Sequence, residues 1–179
     1  MLSKTKIVII SAIIPLFAVI YGLFTKQYSF AANSLYSVGS IILFVLIHNK
    51  FSFLSKKVYI SVIIFILLSA FAGKALEFYK HIPHWDKLLH FASGFIFVPA
   101  GRQLYKKISS ADTSIKVIHF FALFFAIAAA ALWEIFEFSG DSLFGTTAQN
   151  NSLDDTMLDM LAGTLSAVIA TIIAVLKLR

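Results

Sequence analysis

Residues 117–138 read Val-Ile-His-Phe-Phe-Ala-Leu-Phe-Phe-Ala-Ile-Ala-Ala-Ala-Ala-Leu-Trp-Glu-Ile-Phe-Glu-Phe, with no charge before Glu134. A helix rises about 1.5 Å per residue, so roughly 20 apolar residues cross a hydrocarbon core of about 30 Å. The stretch reads as a membrane-spanning helix with two carboxylates, Glu134 and Glu137, near one end. It sets the fold class, and it points to the membrane level where charge enters an apolar run.

Five further apolar runs lie at 7–24, 31–48, 58–73, 88–105 and 157–176. Three stretches before residue 75 extend 16 or more residues without Asp, Glu, Lys or Arg. Of the 179 residues, 59% are apolar and 13% charged, and the mean hydropathy is +0.87. Ordinary soluble domains are roughly 45–50% apolar and about 25% charged, so a soluble enzyme is excluded. The connections are too short for a second domain. The expected architecture is all-α: a polytopic six-transmembrane-helix bundle in one membrane domain, 1–179. The chain has no cysteine, which excludes disulfides and thiolate chemistry and leaves His and carboxylates as metal ligands.

The net charge of +6 does not point to nucleic acid, because the basic residues sit at the ends of apolar runs. With a cytoplasmic N-terminus, eleven bases fall inside (Lys4, Lys6, Lys50, Lys56, Lys57, Arg102, Lys106, Lys107, Lys116, Lys177 and Arg179). Four fall outside: Lys26, Lys74, Lys80 and Lys87. Loop lysines and arginines favour the cytoplasmic side, so both termini are expected inside. Of the nine acids, only Asp112 joins the inner side. The basic inner rim needs no function beyond anchoring and attraction to anionic lipid. Trp85, Trp133, Tyr79 and Tyr105 read as interfacial belt residues, and Ala128 to Ala131 as a small-residue packing face. His48 and His119, near inner ends, are expected to cap or snorkel, and His81 and His84 to lie in a loop. Lys4 and Lys6 before an apolar stretch, with Ser29-Phe30-Ala31 after it, resemble a signal peptide. The 18-residue apolar core and the intervening Lys26 favour an uncleaved first helix.

Charge inside a membrane segment costs a few kcal/mol and marks function by default. Here it gathers where the fourth and sixth runs begin and the fifth ends, all at the outer level. Asp86, His90 and Gly94 share a face at i, i+4 and i+8, and Asp155, Asp159 and Gly163 repeat the pattern. In both, a glycine admits a neighbouring helix beneath polar side chains. Glu134, Glu137 and Asp141 share a face at i, i+3 and i+7. Polar faces that must avoid lipid are best turned toward one another. Crowded carboxylates repel unless a cation joins them, and His with carboxylates suits Zn²⁺, Mn²⁺, Ca²⁺ or Mg²⁺. The alternative is a buried hydrogen-bonded network that only holds the helices together.

Three features in this order, Asp86-Lys87-Leu88-Leu89-His90-Phe91, then Trp133-Glu134-Ile135-Phe136-Glu137, then Gln149 and Asp155-x-x-x-Asp159 with Gly163, resemble the VanZ-like and, more closely, the YjdF-like bacterial inner-membrane proteins. The resemblance covers about 84–170. It implies a helical integral membrane protein of the bacterial cytoplasmic membrane, with Asp86, His90, Glu134, Gln149, Asp155 and Asp159 at signature positions. The VanZ-like name is linked to low-level glycopeptide resistance. The chain departs from that pattern where an Asn usually follows the second aspartate: Met160-Leu161-Ala162 precedes Gly163 here.

Three functions compete. In the first, His90, Glu134 and Asp159 hold a divalent cation or lipid headgroup and hydrolyse or remodel an envelope lipid, oriented by Asp86, Glu137, Gln149 and Asp155. In the second, the same site sequesters a cell-wall precursor or drug without turnover. The third is a proton- or cation-coupled transporter, opposed by the lack of acids in the first three runs. Membrane lipids are expected partners and nucleic acid is not. The turn-rich 140–151 segment is expected either to close over the site with Gln149 pointing in, or to be an ordinary surface loop.

Overall fold

The computed structural model describes residues 4–109, 114–150 and 152–177. Asp112 and Arg179, expected on the inner side, and Asn151, at the end of the turn-rich segment, lie outside the described residues. Every regular element among the described residues is helical. These are α1 (Lys4–Phe24), α2 (Tyr28–Phe51), α3 (Lys56–Ile66) continuing into a π-helical stretch (Leu67–Ala75), the single turn α4 (Phe78–His81), α5 (Trp85–Ile108), α6 (Ile115–Phe144) and α7 (Leu153–Leu176).

Five helices are long and apolar enough to cross a membrane: α1, α2, α3 with its π-helical continuation, α6 and α7. The expected fourth span forms as α5, 24 residues long, yet it is not among those five. The cause lies in its sequence: Asp86, Lys87, His90, Arg102 and Gln103 dilute its apolar residues.

Helix boundaries overrun the apolar runs because helix ends are fixed by caps rather than by hydropathy. The Ser152 hydroxyl accepts a hydrogen bond from Asp155 N at 3.2 Å, so α7 starts at Leu153, four residues before the apolar stretch. Asp154 and Asp155 in its first turn also favour the positive end of the helix dipole. At the other side α6 continues to Phe144 and stops at Gly145, whose φ of 66° is the left-handed cap that glycine adopts without strain.

The chain divides into two compact units, Met1–Asp86 and Lys87–Arg179. In the first, α1 and α2 reverse through a turn at Lys26, where φ is 60°. Gly22 makes the close approach possible: a Cβ there would stand 3.0 Å from that of Ala31. At the far end of α2, His48 is buried with its ring 4.7 Å from that of Tyr59. Lys4 Nζ donates to His48 Nε2 at 2.9 Å. His48 therefore does not snorkel, because the α1 lysine comes to it.

In the second unit α5, α6 and α7 meet through small residues. Val98, Ala122, Ala126, Ala167 and Ala170 form a buried core with Phe97, Leu123 and Ile127 against it. The expected packing face at 128–131 is corrected to Ala122, Ala126 and Ala130, which are buried, while Ala128 is exposed. A helix returns to the same face every fourth residue, so four consecutive alanines cannot share one. His119 is buried rather than snorkelling, and neither ring nitrogen has a hydrogen-bond partner among the described residues. α5 runs through Pro99 without interruption.

Candidate functional site

The site begins with two glycines. A Cβ on Gly94 of α5 would collide with the Ser166 hydroxyl and with the backbone of Ser166 and Ala167 in α7. A Cβ on Gly163 of α7 would lie 3.0 Å from Ala130 Cβ and 3.6 Å from the His90 carbonyl. Each glycine therefore brings backbones together one turn below a polar residue. His90 stands one turn above Gly94, and Asp159 one turn above Gly163.

Glu134 of α6 completes the group. One ligand atom each from His90, Glu134 and Asp159 lies within 4.8 Å of the others. His90 Nε2 is 3.3 Å from Glu134 Oε1. All three side chains are buried, with His90 6%, Glu134 4% and Asp159 2% exposed. Glu134 Oε1 and Asp159 Oδ1 are shut off from solvent and accept no hydrogen bond among the described residues. A buried carboxylate oxygen without a donor is costly and calls for a bound positive charge or proton. Metal–ligand distances are about 2.0–2.6 Å, so small rotations bring three donors this close onto one ion.

Around this centre, a Glu137 oxygen also comes within 4.8 Å of a His90 ring nitrogen and accepts the Trp133 indole N–H at 2.9 Å. Asp155 receives Lys87 Nζ at 2.5 Å and the Asn150 amide at 2.8 Å. Lys87 Nζ is also 3.6 Å from Asp159 Oδ1. Asp86 occupies the first turn of α5, one turn before His90, and is the last residue of the first unit. The central three-residue group lies wholly in the second unit.

Gln149 turns back toward α6 and α7. Its Nε2 donates to the Thr156 hydroxyl at 2.9 Å and approaches the Glu134 carbonyl at 3.4 Å. Asp141 sets this geometry by accepting the backbone N–H of Ala148 at 2.8 Å and of Gln149 at 2.9 Å, together with the Thr146 hydroxyl at 2.5 Å. Asp141 thus ties the loop rather than joining the cation group. Lys87 and Thr156 are the residues that spacing missed. Lys87 was visible in principle, because it precedes His90 by three residues on the same helix and so shares its side. Thr156 had no signal, since its role depends on where the loop returns.

Glu134 also lines a cavity of about 640 Å³ between the end of α6 and the start of α7. Asp141, Ser142, Gln149, Ser152 and Thr156 supply the rest of its polar wall. The size falls within the roughly 300–1,000 Å³ typical of ligand pockets. In the first unit, His81 Nε2 is 3.6 Å from Glu77 at the exposed α4 turn, and His84 follows with a φ of 59°.

Residues 6–179 match the family described as "Predicted membrane protein (DUF2238)". A Thermotoga maritima protein described as an "Uncharacterized protein" is 32% identical over 96 residues, which cover 54% of this chain and 50% of that one. The match thus spans about half the length of that relative. No solved structure matches the chain. The chain belongs to this membrane-protein family, and with its several apolar helices it is a multi-pass membrane protein.

Proposed function

We propose that this DUF2238 membrane protein holds one divalent cation on His90, Glu134 and Asp159 and uses it on an envelope lipid seated in the adjoining cavity. The observation that carries the reading is the approach of one ligand atom each from buried His90, Glu134 and Asp159 to within 4.8 Å of one another, with Glu134 Oε1 and Asp159 Oδ1 accepting no hydrogen bond among the described residues although His90 Nε2 stands 3.3 Å and Lys87 Nζ 3.6 Å away. Glu134 belongs to both the group and the cavity wall, so an ion held by the group would lie beside a ligand in the cavity. A cation with an open position activates water at neutral pH and polarises a carbonyl. The reaction class is ester hydrolysis: water adds to the acyl carbon, the bond to the alcohol oxygen breaks, and the water's proton leaves with that alcohol. Glu137, Gln149 and Asp155 orient the group, as does Asp86 from its place on α5.

The same proposal counts α5 as a sixth span, with both termini cytoplasmic and the site facing outward in the bacterial cytoplasmic membrane. The eleven-to-four division of bases supports it. The VanZ-like and YjdF-like relationship belongs to this reading too, resting on the Asp86–His90, Glu134–Glu137 and Asp155–Asp159 signatures. In the test, metal-loaded protein is incubated with bacterial lipid extract and products are followed by mass spectrometry. Product that requires the metal and disappears in Glu134→Gln is the expected result; intact lipid throughout would overturn catalysis.

One observation favours a second reading, a binder without turnover. Lys87 already places an ammonium 2.5 Å from Asp155 and 3.6 Å from Asp159, so the chain supplies a cation of its own. In that reading a cell-wall precursor or glycopeptide is retained unchanged, and its retention depends on Glu134 although no product forms.

A further inference from the structure

The charge of the cavity wall determines what fits it. Its charged residues are Glu134 and Asp141, both acidic, and no Lys, Arg or His lines it among the described residues. Asp141 accepts three donors from its own loop, and Glu134 keeps Oε1 shut off from solvent, 3.3 Å from His90 Nε2, so no basic side chain lining the wall offsets its acidic charge. Ser142, Ser152 and Thr156 add hydroxyls. Such a wall rewards a ligand that brings N–H or O–H donors, and it repels a phosphate, whose negative charge would face carboxylates in a poorly screened site. A divalent ion on the neighbouring group would not reverse this, because Glu134 and Asp159 already balance its two charges.

The apolar wall identifies where the ligand comes from. Ala131, Ile135, Phe138, Leu153 and Met160 supply it. Ile135 and Phe138 are also exposed on the outside of α6, at 59% and 60%, and α6 is one of the membrane-crossing helices. The cavity edge is therefore continuous with the exposed apolar surface of α6, and with that surface in lipid an acyl chain would enter from the side with its head against the hydroxyls. Leu153, 76% exposed, widens the same apolar edge.

We infer that the cavity takes a membrane lipid whose head carries hydroxyl or amide donors and no phosphate, such as a diglyceride or a neutral glycolipid. The inference rests on the proposed lipid-binding role of this site and narrows it to a ligand class.

The test uses delipidated full-length protein and two probes with identical chains, dioleoylglycerol and dioleoyl phosphatidic acid. Native mass spectrometry counts retained lipid, and metal content is read on the same samples with and without a chelator. A preference of roughly tenfold for dioleoylglycerol is expected, a difference of about 1.4 kcal/mol, and it persists in metal-free protein. The exposed Ser142→Lys variant should narrow or reverse it by placing a cation in the wall. Equal or tighter retention of phosphatidic acid by the wild type would overturn the inference, as would a preference indifferent to Ser142→Lys. Absence of metal alongside a retained preference would instead sink the cation reading and leave the ligand class standing.

Discussion

Gly94→Ala is a single-methyl test of how the site is held. The added Cβ would lie 2.4 Å from the Ala167 backbone nitrogen, against an ordinary contact beginning at 3.4 Å. Relief requires α5 and α7 to separate by about 1 Å, because the obstructing atoms include α7 backbone. Overpacking of this kind costs about 1–3 kcal/mol. The same displacement reaches His90 one turn away and pulls it from Asp159, and misplacing one ligand by nearly 1 Å should weaken metal binding by about 10–100-fold. The assay is competition against a chromogenic chelator, with thermal unfolding in detergent read in parallel. Gly39→Ala in α2 is the control: nothing lies within 4 Å of its added Cβ, so it should be neutral or raise stability by up to about 1 kcal/mol. Unchanged melting and unchanged metal affinity in Gly94→Ala would refute the claim that this helix contact sets the site.

Other substitutions separate the remaining roles. Lys87→Met removes the ammonium 2.5 Å from Asp155 and should cost about 1.5–3 kcal/mol without metal. Added divalent cation should then restore the melting temperature more fully than in wild type; equal metal responses in the two proteins would argue against competition for the same carboxylates. Lys4→Met breaks the contact to buried His48 at 2.9 Å and should lower the melting temperature by an amount worth about 1–2 kcal/mol, leaving metal content unchanged. The Glu77 carboxyl is held below its ordinary value by the hydrogen bond and charge of Lys80. That contribution is present above the ordinary carboxylate range and fades as pH falls through the lowered value. The pair is open to solvent, so Glu77→Gln should leave melting curves at pH 7 and at pH 4 almost superimposable on wild type.

Periodicity made a large part of this molecule legible. Apolar runs marked the helices, and the i, i+4, i+8 pattern of Asp86-His90-Gly94 and of Asp155-Asp159-Gly163 placed polar groups above glycines that do accept a neighbouring helix. Spacing along one helix shows which residues share a face; it does not show which residue of another helix arrives there. The approach of Lys4 to His48 and of Gln149 to Thr156 therefore has no signature in the spacing of either helix. The π-helical stretch Leu67–Ala75 had no hydropathy signal, since it changes the turn and not the composition. The early start of α7 is written in the sequence as Ser152 three residues before Asp155, a capping pattern, while the apolar run itself begins only at Met157. In α5 the polar residues that lower its hydropathy include His90, so the same residue weakened the membrane signal and supplied the candidate ligand.

The most direct measurement is metal content, by mass spectrometry, of protein purified without a metal-affinity step, comparing wild type with His90→Ala and Asp159→Asn. One divalent ion per chain in wild type, lost in both variants while the fold is retained, is the expected result. Wild-type protein free of metal after equilibration with Zn²⁺, Mn²⁺, Ca²⁺ and Mg²⁺ would contradict the cation site and make the group a buried hydrogen-bonding network.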